Sequence, residues 1–390
     1  MVVTPLMWKS LDNFATCYSY LWKFPVEWDS TRKLLIYNPP SRKMIPWGLT
    51  YLIFMVGQSF SSCFTVLAAQ LFGLADLPVM ESLITIAMMI LIMFGIAMEL
   101  MLVLQAKQSV AAFNCLSKLD AKLNKPAGLR LGPYYIDTLG ISLNICVLII
   151  AIFPFFNVFF AQYFGRDTLT IGCTYVYDCD GYAKYFVYTM RVTYIIPAIE
   201  LMRLFPLGIC IFAIGIHIIL GIMSYLEENS GRIAMSRIKS LEILRIYNYL
   251  EIILQVVHEV SSTAASVLMI LGLLLSVTLN FLTVKMRSVL PMPYYLVCPV
   301  SAGIIPVVIQ ILLPLAISIF ENAEALLQSW RVEVRHSCDR RYLRRRLKTC
   351  KAVTVYAGLF KFNFYHLCVS TKSTFCYAIV DYTITALLWT

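Results

Sequence analysis

The sequence predicts an all-α polytopic membrane protein with seven transmembrane helices, a cytoplasmic N-terminus and an extracellular C-terminus. Of its 390 residues, 59% are hydrophobic and only 14% are charged, so the chain is far more apolar than a soluble globular domain. Apolar runs of membrane-crossing length recur along it, and most basic residues fall in alternate connections between the runs. These observations exclude a soluble protein and indicate the topology.

Seven apolar runs reach about 18 residues, the length needed to cross roughly 30 Å of hydrocarbon. They are residues 47–72, 83–104, 136–160, 194–225, 264–284, 300–319 and 364–390. The fourth run is interrupted by Glu200 and Arg203, and the seventh carries Lys372 and Asp381. Charged side chains inside a membrane helix are costly and usually mark functional positions.

The distribution of Lys and Arg orients these helices. An internal N-terminus places 25 of the 32 basic residues in the inner segments and only 5 in the outer ones. Because cytoplasmic loops carry the excess of Lys and Arg, we expect the N-terminus inside. The first 44 residues contain no clean apolar core of a signal peptide, so we expect no cleavable signal peptide. This topology is opposite to that of a G-protein-coupled receptor, and the Asp-Arg-Tyr triplet of that class is absent after the third run.

The same pattern divides the chain into four regions. Residues 1–46 form a cytoplasmic N-terminal segment, and 47–319 hold helices one to six with their loops. Residues 320–363 form a basic cytoplasmic anchor segment, and 364–390 form the seventh helix. From Ile233 to Ser262 apolar residues keep a roughly helical spacing, and 321–356 is similar but more charged. We expect inner helical extensions that pack below the membrane, with solvated helical linkers as the alternative.

The outer connection between helices three and four contains two cysteines. Cys173 and Cys179 face an oxidising compartment in the expected topology and are able to form a disulfide. Two unpaired thiols are an equal alternative, and Cys298 in the next outer connection is a rival partner for either.

Two stretches resemble motifs of a known receptor family. The first resembles the Tyr…Leu…Val-Asn…Ser pattern of arthropod gustatory receptors, with His258 where Asn is usual, and reads Tyr247-x-x-Leu250-x-x-Ile253-x-x-x-Val257-His258-x-x-Ser261. The second resembles the closing segment of the insect gustatory and odorant receptor superfamily and contains Ser370-Thr371, Ser373-Thr374-Phe375 and Asp381-Tyr382. Ser329-Trp330 also fits loosely.

The terminal signature departs from the gustatory pattern. That pattern is Thr-Tyr, five apolar residues and Gln-Phe, and this chain keeps Tyr382 but has Asp381, Leu388 and Trp389 at the other places. The resemblance in layout nevertheless covers the whole chain.

The resemblance implies one subunit of a tetrameric, ligand-gated, nonselective cation channel in the plasma membrane. Its partners would be a small tastant or odorant, the permeating cations, membrane lipid and related receptor subunits in a homo- or hetero-tetramer. The seventh helices of four subunits would line one pore, and the inner ends of helices four to seven would form the anchor. The ligand would lie in an outer-half pocket among helices two, three, four and six. No cofactor and no nucleic acid is implied.

Candidate pore and gate residues lie in the seventh helix. They are Asp381, Ile384, Thr385, Leu387 and Leu388. A ring of acidic side chains attracts cations, and a ring of leucines closes a pore by dewetting. Pairing of Asp381 with a neighbouring helix, for example through Arg203, is the alternative, and the apolar residues are equally explained by ordinary packing.

Candidate ligand-binding residues are aromatic or polar positions in helices three, four and six. They are Phe156, Phe159, Phe160, Glu200 and Gln310. The phenylalanines would line an apolar pocket, although interfacial aromatics commonly belong to the membrane belt. Glu200 and Arg203 are three apart on one helical face, which favours a structural ion pair.

Catalysis and metal binding find no support in the sequence. His258-Glu259 lacks a third ligand, and the spacing of His336, Cys338 and Cys350 matches no common zinc site. No nucleotide-binding glycine loop and no nucleophile elbow is present. The alternative function is a secondary transporter, whose internal repeats are not evident.

Overall fold

The protein is described here from a computed structural model that covers residues 3–124, 137–177, 179, 181–231, 237–287, 291–292, 294–336, 340–359 and 362–388. Its helices are α1 (Pro5–Cys17), α2 (Arg42–Leu71), α3 (Val79–Asn124), α4 (Thr138–Tyr163), α5 (Thr168–Tyr175), α6 (Tyr182–Thr193), α7 (Ile195–Glu228), α8 (Arg237–Lys285), α9 (Val297–Glu333), α10 (Arg340–Thr349) and α11 (Val369–Leu388). Its strands are β1 (Val26–Asp29), β2 (Leu34–Tyr37), β3 (Tyr356–Leu359) and β4 (Phe362–His366). The predicted positions Cys338 and Trp389 lie outside the described residues.

Six helical stretches in the described part of the chain are long and apolar enough to cross a membrane. They contain α2, α3, α4, α7, α8 and α9, in the order of the first six predicted runs. The chain is therefore a mostly helical, multi-pass membrane protein. In α2, residues Thr50–Phe60 wind as a π-helix, a rare form that is frequent at functional sites.

Helix α11 coincides with the seventh predicted run but differs from the other six. It has 20 residues, enough to cross a bilayer, but Lys372, Asp381 and its hydroxyl residues make it less apolar than the six stretches above. It begins at Val369, because the residues before it form strand β4. The predicted start at 364 is therefore too early.

Helix α7 occupies the centre of the bundle. In the most apolar part of the stretch that contains it, 67% of the residues are buried, against 28% to 33% in the other five. Those five helices direct apolar side chains such as Leu52, Val103 and Ile149 outward. This distribution is expected of helices surrounded by hydrocarbon, where outward apolar surface carries no penalty.

The largest core lies at one end of the bundle and includes the parts of α3, α8 and α9 that extend beyond the predicted membrane runs. It joins α1 and strands β1 and β2 to the second halves of α3 and α7, the first half of α8 and the second half of α9. Helices α8 and α9, at 49 and 37 residues, exceed a bilayer crossing by several turns. The predicted extension over 233–262 is thus continuous with a membrane helix from Arg237 onward, in α8. The extension predicted over 321–356 continues α9 only to Glu333 and is followed by the separate helix α10 and strand β3.

Two short hairpins correct the prediction of an all-α chain. Strands β1 and β2 pair antiparallel with Val26 opposite Tyr37, and β3 and β4 pair antiparallel with Tyr356 opposite His366. Each strand has only four or five residues, too few to show a clear period-two pattern beside long helical runs.

Candidate pore helix and ligand groove

Helix α11 packs against the rest of the chain along one narrow stripe. Phe375 and Ile379, four residues apart, are its buried residues. One turn further on, the Asn280 side-chain amide of α8 donates a hydrogen bond of 3.5 Å to the Thr383 hydroxyl. Leu387 completes the stripe, half-buried against residues of α3, α8 and α9.

The opposite face of α11 is uncovered in the single chain. Tyr377, Asp381, Ile384 and Leu388 are exposed at intervals of three or four residues, and Thr385 lies beside them. This spacing places them on one face of the helix. Among the described residues, the Asp381 carboxylate has no hydrogen-bond or ion-pair partner, and Arg203 pairs elsewhere. A carboxylate that faces hydrocarbon is costly, so this face requires water or another protein surface.

Four of the five predicted pore residues therefore share one uncovered face. They are Asp381, Ile384, Thr385 and Leu388. Leu387 is instead part of the packed stripe, because it lies about 100° around the helix from Leu388 and about 120° from Asp381. The pore role of all five residues stays a prediction.

An apolar groove separates α4 from α9, with Ile209 of α7 at its base. Its volume is about 480 Å³, within the range of small-molecule sites. It is lined by Ser142, Leu143, Ile145, Cys146, Ile149, Ile150, Ile209, Pro299, Val300, Gly303, Ile304, Val307, Val308, Ile311 and Leu312. The lining is almost wholly aliphatic, so the groove fits an apolar molecule and offers only a hydroxyl and a thiol for polar contact.

The predicted phenylalanines lie further along α4 than the groove. Phe156 and Phe159 are exposed, whereas Phe160 packs partly against residues of α3 and α8. The rings stack along the helix, with centroids 6.3 Å apart for Phe156 and Phe160 and 6.2 Å apart for Phe159 and Tyr163. None of the three lines the groove.

Gln310 lies on the side of α9 that faces α11. Its side-chain amide is 3.4 Å from the Cys376 sulfur, so it links the sixth predicted helix to the candidate pore helix. It does not line the groove. The groove residues themselves, such as Ile149 and Val307, were missed by the sequence analysis because aliphatic residues are the norm in a membrane helix and carry no distinguishing signal.

Glu200 is fully buried, and its carboxylate lies 3.6 Å from the Arg203 guanidinium. Glu99 of α3, also fully buried, accepts a hydrogen bond of 3.4 Å from the Trp47 indole in the same polar cluster. Glu200 thus faces charged and aromatic side chains, away from the groove. Glu99 was missed, although an acidic residue inside the second apolar run is a signal that could have singled it out.

The connection between α4 and α7 is braced internally by a disulfide and one ion pair, and a second ion pair ties it to α3. Cys173 and Cys179 are bonded to each other, with their Cα atoms 5.1 Å apart. Arg166 pairs with Glu81 of α3, and Arg191 lies 2.8 Å from Asp167. No group of three or more His, Cys, Asp or Glu side chains is arranged for a metal ion within the described ranges.

The architecture matches solved structures of an insect olfactory receptor. The receptor OR5 of Machilis hrabei in complex with eugenol aligns with a TM-score of 0.67 and 12% identity over 98% of each chain. A second structure of the same receptor aligns with a TM-score of 0.64 and 11% identity over 98% of this chain and 97% of that one. No family model and no curated protein sequence matches. The protein has the fold of an insect olfactory receptor, so the resemblance to the insect gustatory and odorant receptor superfamily is confirmed at the level of the fold.

Proposed function

We propose that this chain is a subunit of a chemosensory receptor that acts as a ligand-gated, nonselective cation channel in the plasma membrane. The observation that carries the proposal is the Asp381 carboxylate on the uncovered face of α11, which has no partner in the described part of the chain, in a chain with the fold of an insect olfactory receptor. This fold favours the channel over a secondary transporter or a G-protein-coupled receptor.

The pore would form where four copies of α11 meet. In that arrangement the uncovered face lines a water-filled path, which relieves the cost of an exposed carboxylate in hydrocarbon. Four Asp381 side chains would attract cations, and Ile384 and Leu388, one and two turns along the same face, would form the apolar gate. Thr385 would add a hydroxyl to the pore lining. Leu387 would lie outside the pore and would influence the gate through the packing of α11 against the rest of the chain.

The ligand would be a small apolar tastant or odorant bound between α4, α7 and α9. The aliphatic groove supports this class of ligand, because burial of apolar surface is the main contact it offers. The contact of Gln310 on α9 with α11 supports coupling of the groove to the pore, because α9 lines the groove and also touches the candidate pore helix. Ligand binding would open the pore by favouring one arrangement of α9 and α11 over the other. The contacts predicted for Phe156, Phe159 and Phe160 remain part of this proposal.

The topology would place the N-terminus and the largest core in the cytoplasm. Ten basic residues lie in 320–363, and six of them are exposed on α10 or its ends, which supports a cytoplasmic location. The extended ends of α7, α8 and α9 would then form the anchor below the membrane. The disulfide of Cys173 would lie outside, as redox compartments require.

The test is the ligand-evoked current of cells that express this chain, with Asp381→Asn compared with the wild type. A panel of sugars, bitter compounds and volatiles, with eugenol among the volatiles, would supply the stimulus. We expect a cation current in the wild type, and in Asp381→Asn a lower permeability to divalent relative to monovalent cations, because the ring of charge is lost. Asp76→Asn is the matched control, because it removes an exposed carboxylate outside α11.

Two results would contradict the proposal. A current whose permeability ratio is the same in Asp381→Asn and the wild type would remove Asp381 from the pore. Ligand-driven uptake of a labelled solute without current would replace the channel by a transporter.

A further inference from the structure

A buried charged cluster lies where α3, α7, the start of α2 and the N-terminal segment meet. Glu99 comes from α3, and Glu200 and Arg203 come from α7; all three are at most 5% exposed. Glu99 lies about 30 Å along α3 from its start at Val79, at 1.5 Å per residue. The cluster is therefore about one hydrocarbon thickness from the start of that helix.

The N-terminal segment covers Arg203 from one side. The guanidinium donates a hydrogen bond of 3.2 Å to the Trp22 carbonyl and lies 4.5 Å from the centre of the Phe24 ring. It also lies 3.6 Å from the Glu200 carboxylate. Phe24 in turn packs edge-to-face on Trp47, with ring centroids 6.1 Å apart. The two aromatic rings therefore cover the cluster on this side.

The two carboxylates are poorly satisfied as anions. Glu99 receives one hydrogen bond, of 3.4 Å, from the Trp47 indole, and its other oxygen has no hydrogen-bond partner within the described part of the chain. Neither oxygen of Glu200 has a donor at full hydrogen-bond geometry among the described residues, although the Arg203 guanidinium and the Trp22 and Trp47 indoles lie close to it. Buried ionised carboxylates normally accept several hydrogen bonds, so one guanidinium is too little for both.

The charge count indicates what the cluster lacks. Two carboxylates and one guanidinium leave one negative charge, which burial penalises strongly. A single proton removes that charge, because two neighbouring carboxyl groups readily share one. A bound metal cation fits less well, because the surrounding groups are N–H donors and a guanidinium, whereas such cations require several oxygen ligands.

We propose that Glu99, Glu200 and Arg203 form a buried proton-binding site that holds one proton at neutral pH, on the Glu99 carboxyl. Glu200 stays ionised beside Arg203, and the neutral cluster keeps the N-terminal segment seated over it. Release of the proton would leave a net negative charge beneath Trp22 and Phe24. The inference stands apart from channel function, because its measurement needs only the folded protein.

Other titratable groups around the cluster do not supply the missing charge. Tyr18 lies near Arg203 and Glu200, and its hydroxyl donates a hydrogen bond of 3.1 Å to the Met202 carbonyl. Tyr20 also lies near Arg203 and Glu200. Tyr51 is near Glu99, and Cys17 is near Tyr18. Tyrosine and cysteine side chains carry no positive charge in either protonation state, so the proton remains the missing positive charge.

The test is infrared spectroscopy of the full-length protein in lipid nanodiscs, in the region of the protonated carboxyl stretch. At neutral pH we expect a band in the wild type that shifts in heavy water and disappears in Glu99→Gln. In Arg203→Gln the band should about double, because both carboxyls then hold protons. Glu81→Gln is the matched control: Glu81 is similarly buried, and its carboxylate pairs with the Arg166 guanidinium, so its loss should leave the band unchanged.

Three results would overturn the proposal. The first is the absence of a protonated carboxyl band from the wild type at neutral pH. The second is a band that persists unchanged in Glu99→Gln. The third is a band that appears in the wild type only when choline replaces sodium, which would show that a sodium ion had occupied the site. The wild-type measurements alone decide two of these, so misfolding of a variant does not leave the question open.

Seating of the N-terminal segment has its own readout. Lys23 is exposed between Trp22 and Phe24, so trypsin cleavage after it reports how firmly the segment is held. We expect cleavage to increase at alkaline pH more in the wild type than in Glu99→Gln, whose neutral amide mimics the protonated carboxyl. Equal increases would show that the proton does not hold the segment.

Discussion

At the scale of single residues, burial controls the chemistry of Cys350, directly after α10. Its side chain is buried, and its sulfur lies 3.4 Å from the Asn248 side-chain oxygen. Burial raises the pKa of the Cys350 thiol from 9.0 to about 11; Glu251 adds to the increase and Arg346 opposes it. The thiolate is the reactive form of cysteine, so Cys350 should be inert in the folded protein.

The first residue-scale prediction is slow alkylation of Cys350. A thiol pKa about two units higher lowers the thiolate population about 100-fold at a given pH below both pKa values. We expect N-ethylmaleimide to label Cys350 at least that much more slowly in the folded protein than in denaturant, with the rate still increasing above pH 9. Mass spectrometry of the labelled peptides measures both rates. Similar rates in the two states would contradict the burial of this thiol.

At the scale of elements, the contact between α8 and α9 joins two of the motifs that carry the family resemblance. Tyr247 of α8 and Trp330 of α9 are fully buried, and their rings meet edge-to-face with centroids 5.5 Å apart. The Tyr247 hydroxyl donates a hydrogen bond of 2.7 Å to the Lys351 carbonyl. This pair therefore ties both long helices to the chain that follows α10.

Substitutions in this contact should lower stability by different amounts. Trp330→Ala removes a fully buried ring and should cost about 3–5 kcal/mol. Tyr247→Phe removes one buried hydrogen bond and should cost about 1–3 kcal/mol, because it leaves a carbonyl unsatisfied. Tyr249→Phe on α8 is the control: its side chain is 44% exposed and its hydroxyl meets a weakly hydrogen-bonding thiol, that of Cys115, so the change in stability should be less than about 0.5 kcal/mol.

Thermal unfolding in detergent, followed by size-exclusion chromatography, ranks these variants. Equal melting temperatures for Tyr247→Phe and Tyr249→Phe would show that the Lys351 hydrogen bond contributes nothing.

At the scale of the whole molecule, the uncovered face of α11 distinguishes the single chain from its proposed assembly. Thr385 is exposed on that face, whereas Thr383 is half-buried and bonded to Asn280 of the same chain. If copies meet at α11, the two positions will differ in their distance from a neighbouring subunit.

Cysteine crosslinking tests this arrangement. We expect oxidation of Thr385→Cys in membranes to produce covalent dimers on nonreducing gels, because the same residue of adjacent copies would approach across the pore. Thr383→Cys, in the same background of native cysteines, should give no more dimer than the wild type. Dimer formation at both positions, or at neither, would contradict assembly through this face.

Much of the fold was predictable because hydropathy and charge are local properties. The order of the membrane helices followed from apolar runs, and the Glu200–Arg203 pair followed from a spacing of three. The hairpins were not predicted because their strands are short. The start of α11 was predicted too early because the residues before it form β4. The aliphatic groove was not predicted because its residues are of the same aliphatic types as residues that face the membrane.

Hydropathy and charge along the sequence were therefore enough to indicate a multi-pass membrane protein, the order of its helices and its expected orientation. The packed structure was needed to show that Glu99 joins Glu200 and Arg203, that Asp381 has no ion-pair or hydrogen-bond partner among the described residues, and which side chains line the groove. The physical reason is that apolar length is read along one segment. A cluster, an uncovered face or a groove arises only when helices distant in sequence pack together.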